Sequence, residues 1–144
     1  MKQFKANLSS KSLKNLMSQL ELHGKKLVQA QKDVLDALAD YVYERIMFYV
    51  PVKTGQLMES FVEDVSNDIA RVYTDLYYAK YVEFGTGIRG INSEYDSKYI
   101  NAKTDYDSEY AGQVAQKFIY KAVQDLEKDY IEIATNVLRK KGLI

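Results

Sequence analysis

The glycine run Gly85-Thr86-Gly87-Ile88-Arg89-Gly90 is the stretch whose spacing most suggests chemistry. Glycines that expose backbone amides can cradle a phosphate. Gly85, Gly87 and Gly90 fit the G-x-G-x-x-G spacing, but the context is wrong. No strand is expected before them, no helix is expected after them, and the Lys-Ser/Thr ending of a P-loop is missing. His23 is the single histidine. A histidine-based metal site would have no second nitrogen ligand, and no Ser-His-Asp set is suggestively spaced. Glu21, Asp33, Asp36, Asp40 and Glu44 fall at helical positions expected to be solvated. Nothing points to a two-carboxylate hydrolase. The chain has no cysteine, which excludes thiol catalysis, disulfides and zinc–thiolate sites. These residues predict no catalytic group, no cofactor and no metal, and hence no enzyme.

The elements that carry these residues are legible from periodicity. Ser12–Val50 reads as helix: Leu13, Leu16, Met17 and Leu20 recur at three and four. After Gly24 the pattern resumes with Leu27, Val34, Leu38, Val42 and Ile46. Ser9, Ser10 or Ser12 can supply its cap, Gly24 favours a kink, and Pro51 stops the helix at Val50. Thr54 is placed to cap a single turn over Gly55–Ser60. The runs FVEDV and IARVYTD flank a Ser-Asn-Asp turn and read as a hairpin. Leu76–Glu83 is expected to be a short helix with Tyr77, Tyr81 and Phe84 on one side, after which the glycines open a loop. Ala115–Lys140 carries a single apolar stripe: Phe118, Ile119, Ala122, Val123, Leu126, Tyr130, Ile133, Ala134 and Val137. Arg139, Lys140 and Lys141 then suit a helix C-terminus, and Gly142 its cap. The expected class is α+β: two long helices packed against a small antiparallel sheet, with an extended polar loop before the last helix.

Composition narrows the partners. A chain of 144 residues fits one domain, with residues 1–11 expected as a flexible arm and 88–112 as an extended loop or arm. Formal net charge is zero, with 47% hydrophobic and 28% charged residues. That balance argues against a protein that wraps nucleic acid and permits association between copies. No apolar run reaches membrane-spanning length, and the N-terminal stretch has no apolar h-region of a secretory signal. Residues 1–32 hold seven lysines and one acid, whereas residues 93–110 hold five acids against Lys98 and Lys103. SEYDSKY at 93–99 is echoed by TDYDSEY at 104–110, which is too little for a repeat architecture. A loop of this composition is either a polar extended segment or an arm that orders against a neighbouring copy, and 91–111 is expected to be mobile in a lone subunit. There are 13 tyrosines and no tryptophan, and eight of the tyrosines lie between Tyr73 and Tyr110. Such a cluster forms either a partly solvated wall of the core or an interface.

Two motifs remain once chemistry is set aside: VPVKTGQLMESF at 50–61 and YAKYVEFGTG at 78–87. Val50, Pro51, Val52, Thr54, Gly55, Leu57 and Ser60 resemble the first block of a tail-component family of lambda-like siphophages and prophages. These are the gene-product-ten proteins of HK-type phages, described as head–tail joining, neck or tail-completion proteins. Tyr78, Ala79, Val82, Glu83, Gly85 and Thr86 match its second block. The third block, usually Gln-Pro-Phe, reads Gln116-Lys117-Phe118, with Lys117 in place of proline. The resemblance covers roughly 25–138 and implies a structural protein of the virion, made in the host cytoplasm. It further implies a homo-oligomeric ring, hexameric by analogy with siphophage tail tubes, at the head–tail junction or tail terminus. Partners would be further copies and other neck, connector or tail-tube proteins; DNA contact would be at most transient and non-specific. The motif residues are candidate subunit contacts, with Tyr77, Tyr81 and Phe84 as apolar anchors; they can equally serve only to fix the turns around the hairpin. Two other classes stay open at this point: a nucleic-acid-acting enzyme or toxin with an unfamiliar carboxylate site, and a cytosolic adaptor for one host protein.

Overall fold

The structure is a computed structural model that describes Lys14 and residues 25–53, 55–93 and 106–144. Helix α1 spans Lys25–Tyr49. Its buried stripe of Leu27, Ala30, Val34, Leu38, Val42, Ile46 and Val50 steps by three and four. The amide of Val50 still bonds to the carbonyl of Ile46 at 2.8 Å. Pro51 has no amide to continue the ladder, so the helix ends where the sequence predicts. Lys14 is helical. The remainder of the expected segment, including Ser12, Gly24 and His23, lies outside the described residues, as do Ser9 and Ser10.

A one-turn helix α2, Gln56–Glu59, follows. Its preceding residue is Gly55, held at φ 74, a conformation that costs a residue with a side chain. The capping residue is thus Gly55, without a side-chain cap; Thr54 lies outside the described residues. Strands β1, Val62–Val65, and β2, Ala70–Tyr73, form an antiparallel pair with Glu63 opposite Val72 and Asp64 opposite Arg71. The expected hairpin is present, and it packs against α1.

Helix α3 spans Ala79–Phe84 and α4 spans Gly87–Ile91. Two expectations change here. Tyr77 precedes the helix instead of lying on it, and Phe84 points to the core while Tyr77 and Tyr81 stay exposed. These three side chains therefore do not share a face. The glycine run is a turn of helix, not an open loop. The last helix, α5, spans Phe118–Lys140. It starts later than Ala115 because Lys117 turns the chain at φ 54 and ψ 34, outside the α region. At its far end Gly142, φ 71, donates to Arg139 O at 3.0 Å and Leu143 donates to Leu138 O at 3.0 Å. That pair of bonds is a Schellman ending.

Helices α1 and α5 run antiparallel and pack heavily on each other. Their apolar stripes, with Leu57, Phe61, Ala79 and Phe84, make one core. Phe61 meets Phe118 edge-on, ring centres 5.9 Å apart. The class is α+β.

Candidate functional site

The first motif is a relay of short hydrogen bonds around a buried leucine. Leu57 sits in the core. Ser60 Oγ donates to the Leu57 carbonyl at 2.6 Å and lies 2.6 Å from Thr74 Oγ1. Since the single Ser60 proton is committed, Thr74 donates to Ser60 and in turn accepts the Leu76 amide at 3.1 Å. The buried Thr74 thereby ties the turn after α1 to the end of β2. Tyr78 reaches back from the second motif, donating to Gln56 Oε1 at 3.3 Å.

The second motif holds the start of α5. Glu83 is 0% exposed. Its Oε2 accepts the Ile119 amide at 2.7 Å and its Oε1 accepts the Tyr120 amide at 2.9 Å. The first amides of a helix have no partner inside the helix, and the N-terminus carries partial positive charge. Glu83 meets both needs from another element, so a carboxylate that would be costly to bury is satisfied. The residue at the cap position, Lys117, supplies no side-chain cap. Backbone bonds complete the attachment: Gln116 N to Val82 O at 2.9 Å and Lys117 N to Glu83 O at 3.1 Å.

The glycines allow two chain segments to touch. Thr86 pairs with Gln113 as an isolated antiparallel bridge, with Thr86 N to Gln113 O at 2.9 Å and the return bond at 3.0 Å. Ile88 N bonds to Tyr110 O at 2.8 Å and Arg89 N to Ala111 O at 3.0 Å. A Cβ on Gly85 would stand 2.5 Å from Gln113 O, and one on Gly112 would overlap Thr86 O. Tyr106 closes the region by donating to Phe84 O at 3.1 Å, and burial raises its phenol above the usual range. The Gly90 amide is spent on Thr86 O at 3.0 Å. The amides of Thr86, Ile88, Arg89 and Gly90 are therefore committed to carbonyls and cannot form a phosphate cradle.

Of the expected contact residues, Leu57, Glu83, Phe84, Gly85 and Phe118 are buried in the subunit. Phe84 in particular is 3% exposed, which removes it as a surface anchor. Tyr77 and Tyr81 remain available, at 75% and 38% exposure. Pro51, Gly55, Ser60, Tyr78 and Thr86 are half-buried.

Two polar groupings were not foreseen from the sequence. A seam links α1 and α5: Tyr41 donates to Asp129 at 2.5 Å, while Arg45 and Tyr49 both donate to Asp125 at 2.7 Å. Burial raises the Asp125 carboxyl, but the bonds from Tyr49 and Arg45 outweigh it and hold the group below its ordinary value. Burial, then the bond to Asp129, pushes Tyr41 up to about 12. Lys141 pairs with Asp33 at the other end of the seam. The four-residue spacing of Tyr41, Arg45 and Tyr49 and of Asp125 and Asp129 was the available signal. The second grouping is acidic. Glu63 faces Asp40, Asp36 and Glu44 of α1 and is pushed up to about 7, by burial first and then by the bond to Asp40 and the surrounding charges. Among the described residues no group of His, Cys, Asp and Glu is arranged to hold a metal ion, and no helix is long and apolar enough to cross a membrane.

A family model described as "Bacteriophage HK97-gp10, putative tail-component" matches residues 14–85. The match takes in half of the 144 residues, with all of the first motif and most of the second. The chain belongs to this family. A phage tail component is a structural part of the virion, and that is the coarse role of this protein. Neither the search of curated proteins nor that of solved structures gave a match.

Proposed function

We propose that the protein is a ring-forming subunit, hexameric, that joins or completes the tail at the head–tail junction or tail terminus. The observation that carries this reading is the family match over 14–85, which takes in the first turn-forming motif and most of the second. Two features support it. The subunit leaves Tyr77 and Tyr81 exposed beside the motif joint, and aromatic side chains are favoured anchors between proteins. The zero net charge removes long-range repulsion between copies. A ring needs one patch to meet a different patch on the next copy. The same reading assigns no catalytic step to the protein, in keeping with glycine-run amides that are already committed.

The test is genetic. Deleting the gene from the phage should give filled heads and separate tails that fail to join stably, with joining restored by the wild-type gene supplied in trans. Normal infectious particles from the deletion would overturn the reading.

A further inference from the structure

The surface around the joint is apolar and cationic. Tyr77, Tyr81, Ile88, Ile91, Tyr110 and Val114 all stand exposed there. The bonds from Ile88 to Tyr110 and from Arg89 to Ala111 join α4 to the 110–114 segment, and α3 packs on α5. Between residues 76 and 93 the single acid is Glu83, which is buried; residues 110–117 contain none. Lys80 and Arg89 supply positive charge, with Lys80 Nζ 4.9 Å from the Tyr81 ring centre. Asp75, Asp107 and Glu109 border the region in sequence.

The face where β1 crosses α1 has the opposite character. Asp36, Asp40 and Glu44 follow one another at four-residue spacing on α1, and Glu63 reaches them from β1. Lys32 lies one turn before Asp36, and Arg71 is paired with Asp64 at 3.8 Å. Burial comes first in raising Glu63, and the bond to Asp40 and the charges of Asp36 and Glu44 add to it; among the described residues these four carboxylates give the face its negative character.

We infer that the apolar, cationic surface of α3, α4 and the 110–114 segment docks on the acidic α1–β1 face of a second copy of this chain. The inference rests on the self-assembly proposed above and adds which two surfaces meet. The two patches differ, so the contact is heterologous, the geometry from which rings close. Tyr77 and Tyr81 provide the apolar area, while Lys80 and Arg89 set orientation against Asp40 and Glu44. A second copy fits better than nucleic acid, which is met by a dense basic surface instead of two cations among aromatics.

Charge reversal in the full-length chain tests this contact. Lys80→Glu with Arg89→Glu makes the first patch acidic; Asp40→Lys with Glu44→Lys makes the second patch basic. Each double variant alone should self-associate at least about tenfold more weakly than wild type by sedimentation, since like charges then face each other. Mixing the two variants should restore association, because every contact again pairs opposite charges. A carbodiimide should link Lys80 to Asp40 or Glu44 between isotopically distinct wild-type copies. If both variants associate as wild type does, or if two folded variants fail to associate on mixing, the contact is wrong. A wild-type ring whose cross-links fall elsewhere overturns this contact and leaves the proposed ring standing. A wild-type chain that stays monomeric at millimolar concentration and gives no link between copies in particles overturns both.

Discussion

The joint around Glu83 and the seam between α1 and α5 both anchor the last helix, by opposite means. The joint uses backbone amides, a fully buried carboxylate and glycines that let two segments touch. The seam uses side chains alone, Arg45 and Tyr49 on Asp125 and Tyr41 on Asp129, at partly exposed positions. A side-chain pair can be exchanged for another pair at modest cost, because exposed or half-exposed ion pairs contribute about 0–1 kcal/mol. A Cβ pressed against a carbonyl, or a helix start stripped of its acceptor, has no such replacement. The second family motif lies at the Glu83 joint, and the first holds its turn through hydroxyl bonds from Ser60 and the buried Thr74 to backbone groups. Their unusual residues therefore report backbone geometry, and in the proposed ring the contacts with other copies fall to the exposed side chains around them.

This contrast predicts a ranking of effects. Phe84→Asp should be the most severe, since it buries an unpaired charge in place of a core ring: a loss of about 4 kcal/mol or more, read as an unfolded chain by circular dichroism. Glu83→Ala comes next. It leaves the Ile119 and Tyr120 amides without an acceptor and should cost about 3 kcal/mol in urea unfolding, with faster hydrogen exchange at those two amides. Seam variants such as Tyr41→Phe should fall well below this, at about 1 kcal/mol by the same measurement. If Tyr41→Phe proves as damaging as Glu83→Ala, the contrast between joint and seam fails.

Glu63 gives a smaller effect whose sign depends on pH. Its folded pKa, about 7, lies above the ordinary 4.5, so between those values the folded chain holds a proton that the unfolded chain has released. Stability should therefore fall as pH rises from about 4.5 to 7 and stay level above that. Glu63→Gln should flatten this part of the curve, raising the melting temperature at pH 8 and leaving it nearly unchanged at pH 4. A variant that melts below wild type at pH 8 would show that the acidic face does not strain the subunit.

Much of the architecture was readable because it depends on period and punctuation. The three-and-four spacing from Leu27 to Ile46, the stop at Pro51 and the turn between two β-rich runs each map onto an element. What stayed hidden was direction. Tyr81 and Phe84 are three apart on a short helix, and their spacing alone puts them on one face. The sequence does not say that Phe84 enters the core while Tyr81 stays in solvent. Glu83 was hidden for a related reason: its partners, the amides of Ile119 and Tyr120, lie 36 and 37 positions away. Lys117 shows the limit of the family pattern. A residue at φ 54 stands where proline is usual, and a proline ring could not adopt that angle.

Buried motif residues build the subunit, and in the proposed ring the exposed tyrosines beside them join it to its neighbours. The most direct measurement is electron microscopy of phage carrying Tyr81→Asp, alongside the melting temperature of the purified variant. The account predicts an unchanged melting temperature, normal amounts of the protein in lysates, and heads and tails that remain separate. Joined, infectious particles at wild-type yield from a folded Tyr81→Asp protein would contradict it.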